Sequence, residues 1–157
     1  MSAKLPPMWE QFIAWLWRRA PKWVRRWGML ITESRFTVTT AAVIIDRRGR
    51  VLLLEHRFRP GSGWGIPGGF IRQQEQPEEA IRRELREEIG LEIECAEIAF
   101  VRTLKYYQQV EIIYRCRPCG EPQPRGFEVN RAEWFELSAL PDGISSDQRK
   151  LIERAVF

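Results

Sequence analysis

Gly69-Phe70-Ile71-Arg72-Gln73-Gln74-Glu75, seven intervening residues, then Arg83-Glu84-Leu85-Arg86-Glu87-Glu88-Ile89-Gly90-Leu91 is the stretch on which the fold turns. Its pattern predicts a loop feeding a helix. Pro77 suits a first helical position, Glu78 and Glu79 lie where the helix dipole favours anions, and Gly90 can supply a left-handed stop. Ile81, Leu85 and Ile89 recur every fourth residue and make an apolar stripe to bury. At about 100° per residue, Glu84, Glu87 and Glu88 cluster roughly a quarter-turn away, beside that stripe rather than opposite it. Like charges spaced this way cost about 0.3 kcal/mol each on an open surface, and more where the dielectric falls. A divalent cation would compensate them, and oxygen-only ligands on a rigid helix suit Mg²⁺ or Mn²⁺.

A bare Glu-x-x-Glu-Glu also reads as a solvated acidic helix. The longer pattern is far more demanding. It specifies seven positions, Gly69, Glu75, Arg83, Glu84, Glu87, Glu88 and Gly90, and at ~0.07 per specified residue a chance match is roughly one in a million. This spacing resembles the Nudix box, with no departures. The resemblance extends outward through Trp64-Gly65-Ile66-Pro67-Gly68 before the box, and through Trp134-Phe135-Glu136-Leu137 with Leu140-Pro141 after it.

That resemblance implies an α/β/α sandwich around a mixed β-sheet, and hydrolysis of the pyrophosphate bond of a nucleoside diphosphate linked to another moiety. Water attacks phosphorus in that chemistry, and metal ions neutralise the charge. By motif position, Glu84, Glu87 and Glu88 bind metal, joined by the Gly68 carbonyl and by Glu75, which alternatively supports the loop. One of the helix glutamates also serves to accept the water's proton, and Arg83 orients Glu84. A downstream glutamate is a further base or ligand, with Glu128 as the candidate and Glu133 and Glu111 as competitors. The alternative is a catalytically weak Nudix-fold module that binds nucleotides, or a scaffold recruited through its N-terminus. Substrate identity stays open among nucleotide sugars, dinucleoside polyphosphates and nucleoside triphosphates. Tyr107, sixteen residues past Leu91, stands where a tyrosine accompanies dinucleoside polyphosphate hydrolysis in the family.

The rest of the chain sets bounds. At 157 residues and 44% hydrophobic it can bury one good core, which predicts a domain over 35–157 and an extension over 1–34. The net charge of +4 is uneven: residues 1–30 carry +5, leaving −1 for the remainder, so no general nucleic-acid binding is expected of the body. Cys116 and Cys119 make half of a zinc-ribbon spacing, with only Cys95 and His56 as other soft ligands. Reduced thiols in a cytoplasmic protein are the default.

In the extension, Trp9, Phe12, Ile13, Leu16, Trp17 and Ala20 follow helical spacing, so an amphipathic helix is predicted over Met8 to Arg19. Pro21 interrupts it, and Trp23 and Trp27 begin a second turn beside Arg25 and Arg26. Five of the seven tryptophans fall here, without the apolar core of a secretory signal or the length of a membrane span. Residues 8–30 suit peripheral contact with an anionic membrane, but packing on their own domain or across a homodimer is the favoured reading, since tryptophans are also good core and interface residues. A cleavable organelle presequence is a third option, weakened by scarce serine.

In the body, Phe36 to Ile45 and Val51 to Leu54 read as buried strands joined by the Asp46-Arg47-Arg48-Gly49 turn into a hairpin. Arg57 and Arg59, before the Pro60-Gly61-Ser62-Gly63 loop, suit phosphate or ribose oxygens. Trp64 and Tyr107, like Phe58 and Tyr106, could stack on a base. Strands are expected over Glu92 to Thr103 and Tyr107 to Cys116, with a short one at Trp134-Phe135. A last helix, capped by Ser145 or Ser146, would bury Leu151, Ile152 and Ala155.

Overall fold

The computed structural model describes residues 7–25, 27, 34–59, 61–125 and 127–156. Two units emerge, Met1–Arg35 and Phe36–Phe157. The first carries helix α1, Pro7–Arg19, with Glu10 in its first turn and Arg18 and Arg19 in its last, as the helix dipole favours. Residues 22–25 form a further short helical turn. Arg26, expected in that turn, lies outside the described residues.

The second unit runs β1 (Thr37–Ile44), β2 (Val51–His56), β3 (Trp64–Gly65), β4 (Gly68–Phe70), α2 (Pro77–Ile89), β5 (Glu92–Leu104), β6 (Gln109–Cys119), β7 (Val129–Phe135) and α3 (Ser146–Val156). The strands form two sheets, ordered β4-β1-β6-β5 and β3-β2-β7. β1 and β6 are parallel while the other pairings are antiparallel, so the first sheet is mixed.

Period-two alternation along β1 and β2 builds the layers. Ala42, Ile44, Leu52 and Leu54 meet Ile81, Leu85 and Ile89 of α2 in one core. Ala41, Val43, Val51 and Leu53 meet Leu151, Ile152 and Ala155 of α3 in the other. Both strands are therefore buried on both faces, which is why they read as continuous apolar runs. The result is the helix–sheet–helix sandwich expected of the sequence, and α3 is capped by Ser145, whose Oγ accepts the Gln148 N–H at 3.1 Å.

The β1–β2 hairpin is corrected. The two strands share one bridge, Ile45 to Val51, and lie in different sheets. Both edges of β1 are taken, by β4 on one side and β6 on the other, so β2 turns away to pair with β3 and β7. The turn itself forms as expected, with Asp46 Oδ1 accepting the N–H groups of Arg48 and Arg50 at 2.8 and 2.9 Å. Tyr107 is also moved: Lys105–Tyr107 is a 3-10 turn between β5 and β6, closed by Gln108 at φ 46°.

Leu85 is fully buried at the centre of the α2 stripe. Leu85→Ala should cost about 2–5 kcal/mol by the transfer and cavity terms together, read as a lowered midpoint in urea unfolding.

Candidate active site

The α2 helix begins at Pro77, where Glu79 Oε2 accepts the Gln76 N–H at 3.0 Å, and stops at Gly90 with φ 60°. Burying its apolar stripe turns the glutamates toward the β4 loop. Gly69 permits the contact: a Cβ there would collide with the Glu84 carboxylate.

Arg83 is the hub. Its Nε and Nη2 donate to the two oxygens of Glu75 at 2.7 and 3.0 Å, a two-pronged pair. Nη1 donates to Glu84 Oε1 at 2.6 Å and to Glu87 Oε2 at 3.3 Å, and Nη2 also reaches the Phe70 carbonyl at 3.0 Å. Arg72 adds a second cation on Glu87, its Nη2 lying 3.1 and 3.3 Å from the two oxygens. The Arg83 guanidinium and the Arg72 backbone N–H hold the Glu75 carboxyl down to about 2.

Glu88 lies in different surroundings. Burial, helped by the charges of Glu84 and Glu128, pushes its carboxyl up to about 8, against the pull of Arg59 and the Gly68 N–H. Its Oε2 is buried without a hydrogen-bond partner. An orphaned carboxylate oxygen beside other carboxylates suits a hard cation, whose charge would offset that burial. Among the described residues no three carboxylate, histidine or cysteine side chains are gathered into a ready ligand set. In this arrangement Arg83 and Arg72 occupy Glu84 and Glu87.

Arg59 reaches in from the end of β2. Burial lowers its pKa, while the charges of Glu88 and Glu111 act the other way. Nη2 donates to the Ile66 carbonyl at 3.4 Å, whereas Nη1 is buried with no partner. Gly65 leaves room for it, since a Cβ there would strike Nη1. Arg57 is exposed and donates to Asn130 Oδ1 at 3.1 Å, while its backbone N–H bonds the Glu128 carbonyl at 2.8 Å.

The three downstream glutamates separate clearly. Glu111 is engaged by Arg102 Nε at 2.6 Å, and Arg102 is in turn tied to Asp147. Glu133 pairs with Arg131 at 3.3 Å. The Glu128 carboxylate is exposed, makes no ion pair among the described residues, and lies close enough to act on Glu88.

Trp64 is corrected from a stacking residue to a core one. It is 8% exposed, with Phe135 edge-on at 5.1 Å and the Arg131 guanidinium over its ring at 5.1 Å. Tyr107 is exposed on its turn, edge-on to Tyr106 at 5.0 Å. Phe58 and Phe127, which directly precede Arg59 and Glu128 in the chain, form an exposed aromatic pair, 5.3 Å apart and 65% and 60% exposed, with Arg57 beside the Phe127 ring at 5.9 Å. Phe127 escapes sequence reasoning because loop packing, not periodicity, brings it to Phe58. Cys116 is buried and Cys119 exposed on β6, on opposite faces as residues three apart on a strand must be, so they do not present a joint ligand.

A match to the NUDIX domain model runs over residues 35–155, so the chain belongs to the Nudix hydrolase family. A MutT-like protein of Streptomyces ambofaciens is 29% identical over 109 residues, 69% of this chain and 67% of that protein. An ADP-ribose pyrophosphatase of Methanocaldococcus jannaschii is 29% identical over 115 residues, 70% of this chain and 68% of that one. NudC of Chromobacterium violaceum, named as an NAD-capped RNA hydrolase, is 30% identical over 107 residues, 66% of this chain, and the match spans 40% of its length. The MutT NUDIX hydrolase structure from Burkholderia pseudomallei superposes with a TM-score of 0.68 at 30% identity, over 77% of this chain and 98% of that one.

His56 supplies a pH test of the site's packing. Burial, then the Arg59 charge, lowers its pKa from 6.5 to about 4. Its Nε2 has no partner. The unfolded chain therefore takes up this proton near pH 6.5 and the folded chain only near 4, so between those values the unfolded state holds more protons. The contribution is complete above 6.5 and erodes as pH falls toward 4. Glu88, whose carboxyl is protonated more readily in the folded chain, acts in the opposite sense over this window, so the test is a difference: from pH 6.5 to 4 the urea midpoint of the wild type should fall relative to that of His56→Asn; parallel curves would show that His56 is not buried as described.

Proposed function

We propose that this chain is a divalent-metal-dependent pyrophosphohydrolase of small nucleotides, acting on a nucleoside diphosphate linked to another moiety. The observation that carries this is the orphaned, buried Glu88 oxygen beside Glu84, in a groove where Arg59 offers an equally unpartnered Nη1. Glu84, Glu87 and Glu88, with the Gly68 carbonyl, would hold Mg²⁺ or Mn²⁺. When bound, the cation supplies charge neutralisation on the phosphates and lowers the pKa of water.

The chain's own residues do the positioning. Arg83 holds Glu84 and Glu75 in place, so Glu75 supports the loop in this reading. Arg59 donates to a phosphate oxygen from a site poor in water, where a charge-assisted bond is strong. Glu128 accepts the proton of the attacking water, because its carboxylate is unpaired while those of Glu111 and Glu133 are engaged. Phe58 and Phe127 stack on the base and Arg57 approaches the ribose or phosphate rim, taking the role expected of Trp64 and Tyr107.

Relatives are named for ADP-ribose and for NAD-capped RNA. The −1 balance of the body beyond residue 30 favours the small nucleotide over a polyanionic chain. Residues 35–157 carry all of these groups and constitute the catalytic domain; residues 1–34 add a surface rather than chemistry. A cytoplasmic setting, rich in nucleotides and Mg²⁺, suits the reaction.

A panel of ADP-ribose, nucleotide sugars, dinucleoside polyphosphates, nucleoside triphosphates and a 5′-triphosphorylated oligonucleotide tests this with and without Mg²⁺ or Mn²⁺. Turnover should require the metal and fall at least ~100-fold in Glu87→Gln/Glu88→Gln. Binding without turnover across the panel would leave the groove a nucleotide sensor. Phe127→Ala should raise KM roughly tenfold with kcat little changed, since stacking contributes to ground and transition states alike.

A further inference from the structure

We propose that α1 is an interfacial anchor that docks the protein on anionic lipid membranes. Trp9, Phe12, Ile13, Leu16 and Trp17 stand at i, i+3, i+4, i+7 and i+8 of a 13-residue helix, and so share one face. That face is open: Trp9 is 58% and Leu16 54% exposed, and Trp23 and Trp27 beyond the helix are exposed as well. Gln11, Ala14, Trp15 and Arg18 line the opposite face, so that side is mixed rather than wholly polar.

Charge selects the occupant. Residues 1–30 hold six basic side chains against the single Glu10, and Arg18, Arg19, Lys22 and Arg25 follow the apolar face directly. A second copy of this segment would bring +5 against +5, whereas an anionic headgroup layer complements it. The side-chain chemistry fits that depth. Tryptophan places an apolar ring and one N–H donor at the headgroup boundary, and arginine extends a guanidinium to phosphate from a stem lying along apolar surface. Away from that face, Arg19 and Trp15 make a contact of the same kind, with the guanidinium 4.6 Å from the ring. No helix among the described residues is long and apolar enough to cross a membrane, so the contact is one of lying on the surface rather than spanning it. The substrate groove plays no part in this argument, which stands whether or not the hydrolase reading does.

Flotation of the full chain with phosphatidylcholine vesicles, with and without phosphatidylglycerol, tests the anchor. The wild type should float with the anionic vesicles alone and be released at high salt. Trp9→Glu/Leu16→Glu should remain at the bottom while keeping the wild-type urea midpoint of the second unit. Arg18→Ala and Arg19→Ala should each weaken partition roughly fivefold. Sedimentation of the wild type with both vesicle types overturns the proposal, as does flotation of the double variant. So does a wild-type dimer in analytical ultracentrifugation that Trp9→Glu/Leu16→Glu dissociates, since a second copy would then cover the face.

Discussion

One guanidinium makes the site possible. Glu75, Glu84 and Glu87 are brought within hydrogen-bonding distance of a single side chain, Arg83, which also takes the Phe70 carbonyl. Remove that cation and three carboxylates would face one another across a partly shielded loop, each raising the others' proton affinity. Arg83 therefore does two things with one geometry: it stabilises the loop through Glu75 and presets the orientation of Glu84. Arg72 extends the same neutralisation to Glu87. The box is in this sense a compensated charge cluster, its carboxylates held by the two arginines.

The cluster has its position because the helix beneath it has only one way to lie. Ile81, Leu85 and Ile89 pack against alternate residues of β1 and β2, while the intervening residues of the same strands face α3. A rotation of α2 that exposed those side chains would lose about 2 kcal/mol for each one returned to water. Glu84 and Glu88 therefore stay at the border of the core, and Glu88, furthest in, meets the lowest dielectric. Its elevated proton affinity and its orphaned oxygen have a common cause in that burial.

Around this centre the groove is assembled from segments far apart in the chain. Arg59 and Phe58 come from the loop after β2, and Phe127 and Glu128 precede β7. The bond from the Arg57 N–H to the Glu128 carbonyl, together with the β2–β7 pairing, joins the two segments. This splice brings Phe58 against Phe127, and sets Arg59 and Glu128 in the two segments so joined.

The family, the α2 helix, its buried stripe and the candidate ligands Glu84, Glu87 and Glu88 were legible in the sequence, because each follows from spacing within one continuous segment. The same holds for the Asp46 turn, the Ser145 cap and the apolar face of α1. What the tertiary structure decided is everything that depends on edges and neighbours. Local pattern joins β1 to β2 as a hairpin, but β4 and β6 occupy both edges of β1. Trp64 can be read from sequence as a stacking or a core residue, and Phe135 and Arg131 cover its ring. Glu111, Glu128 and Glu133 are indistinguishable as letters. Only the positions of Arg102 and Arg131, set by strand pairing across long separations, engage Glu111 and Glu133 while Glu128 makes no ion pair among the described residues. Periodicity encodes which face of an element is buried, and it carries no information about which distant side chain will arrive to neutralise a charge.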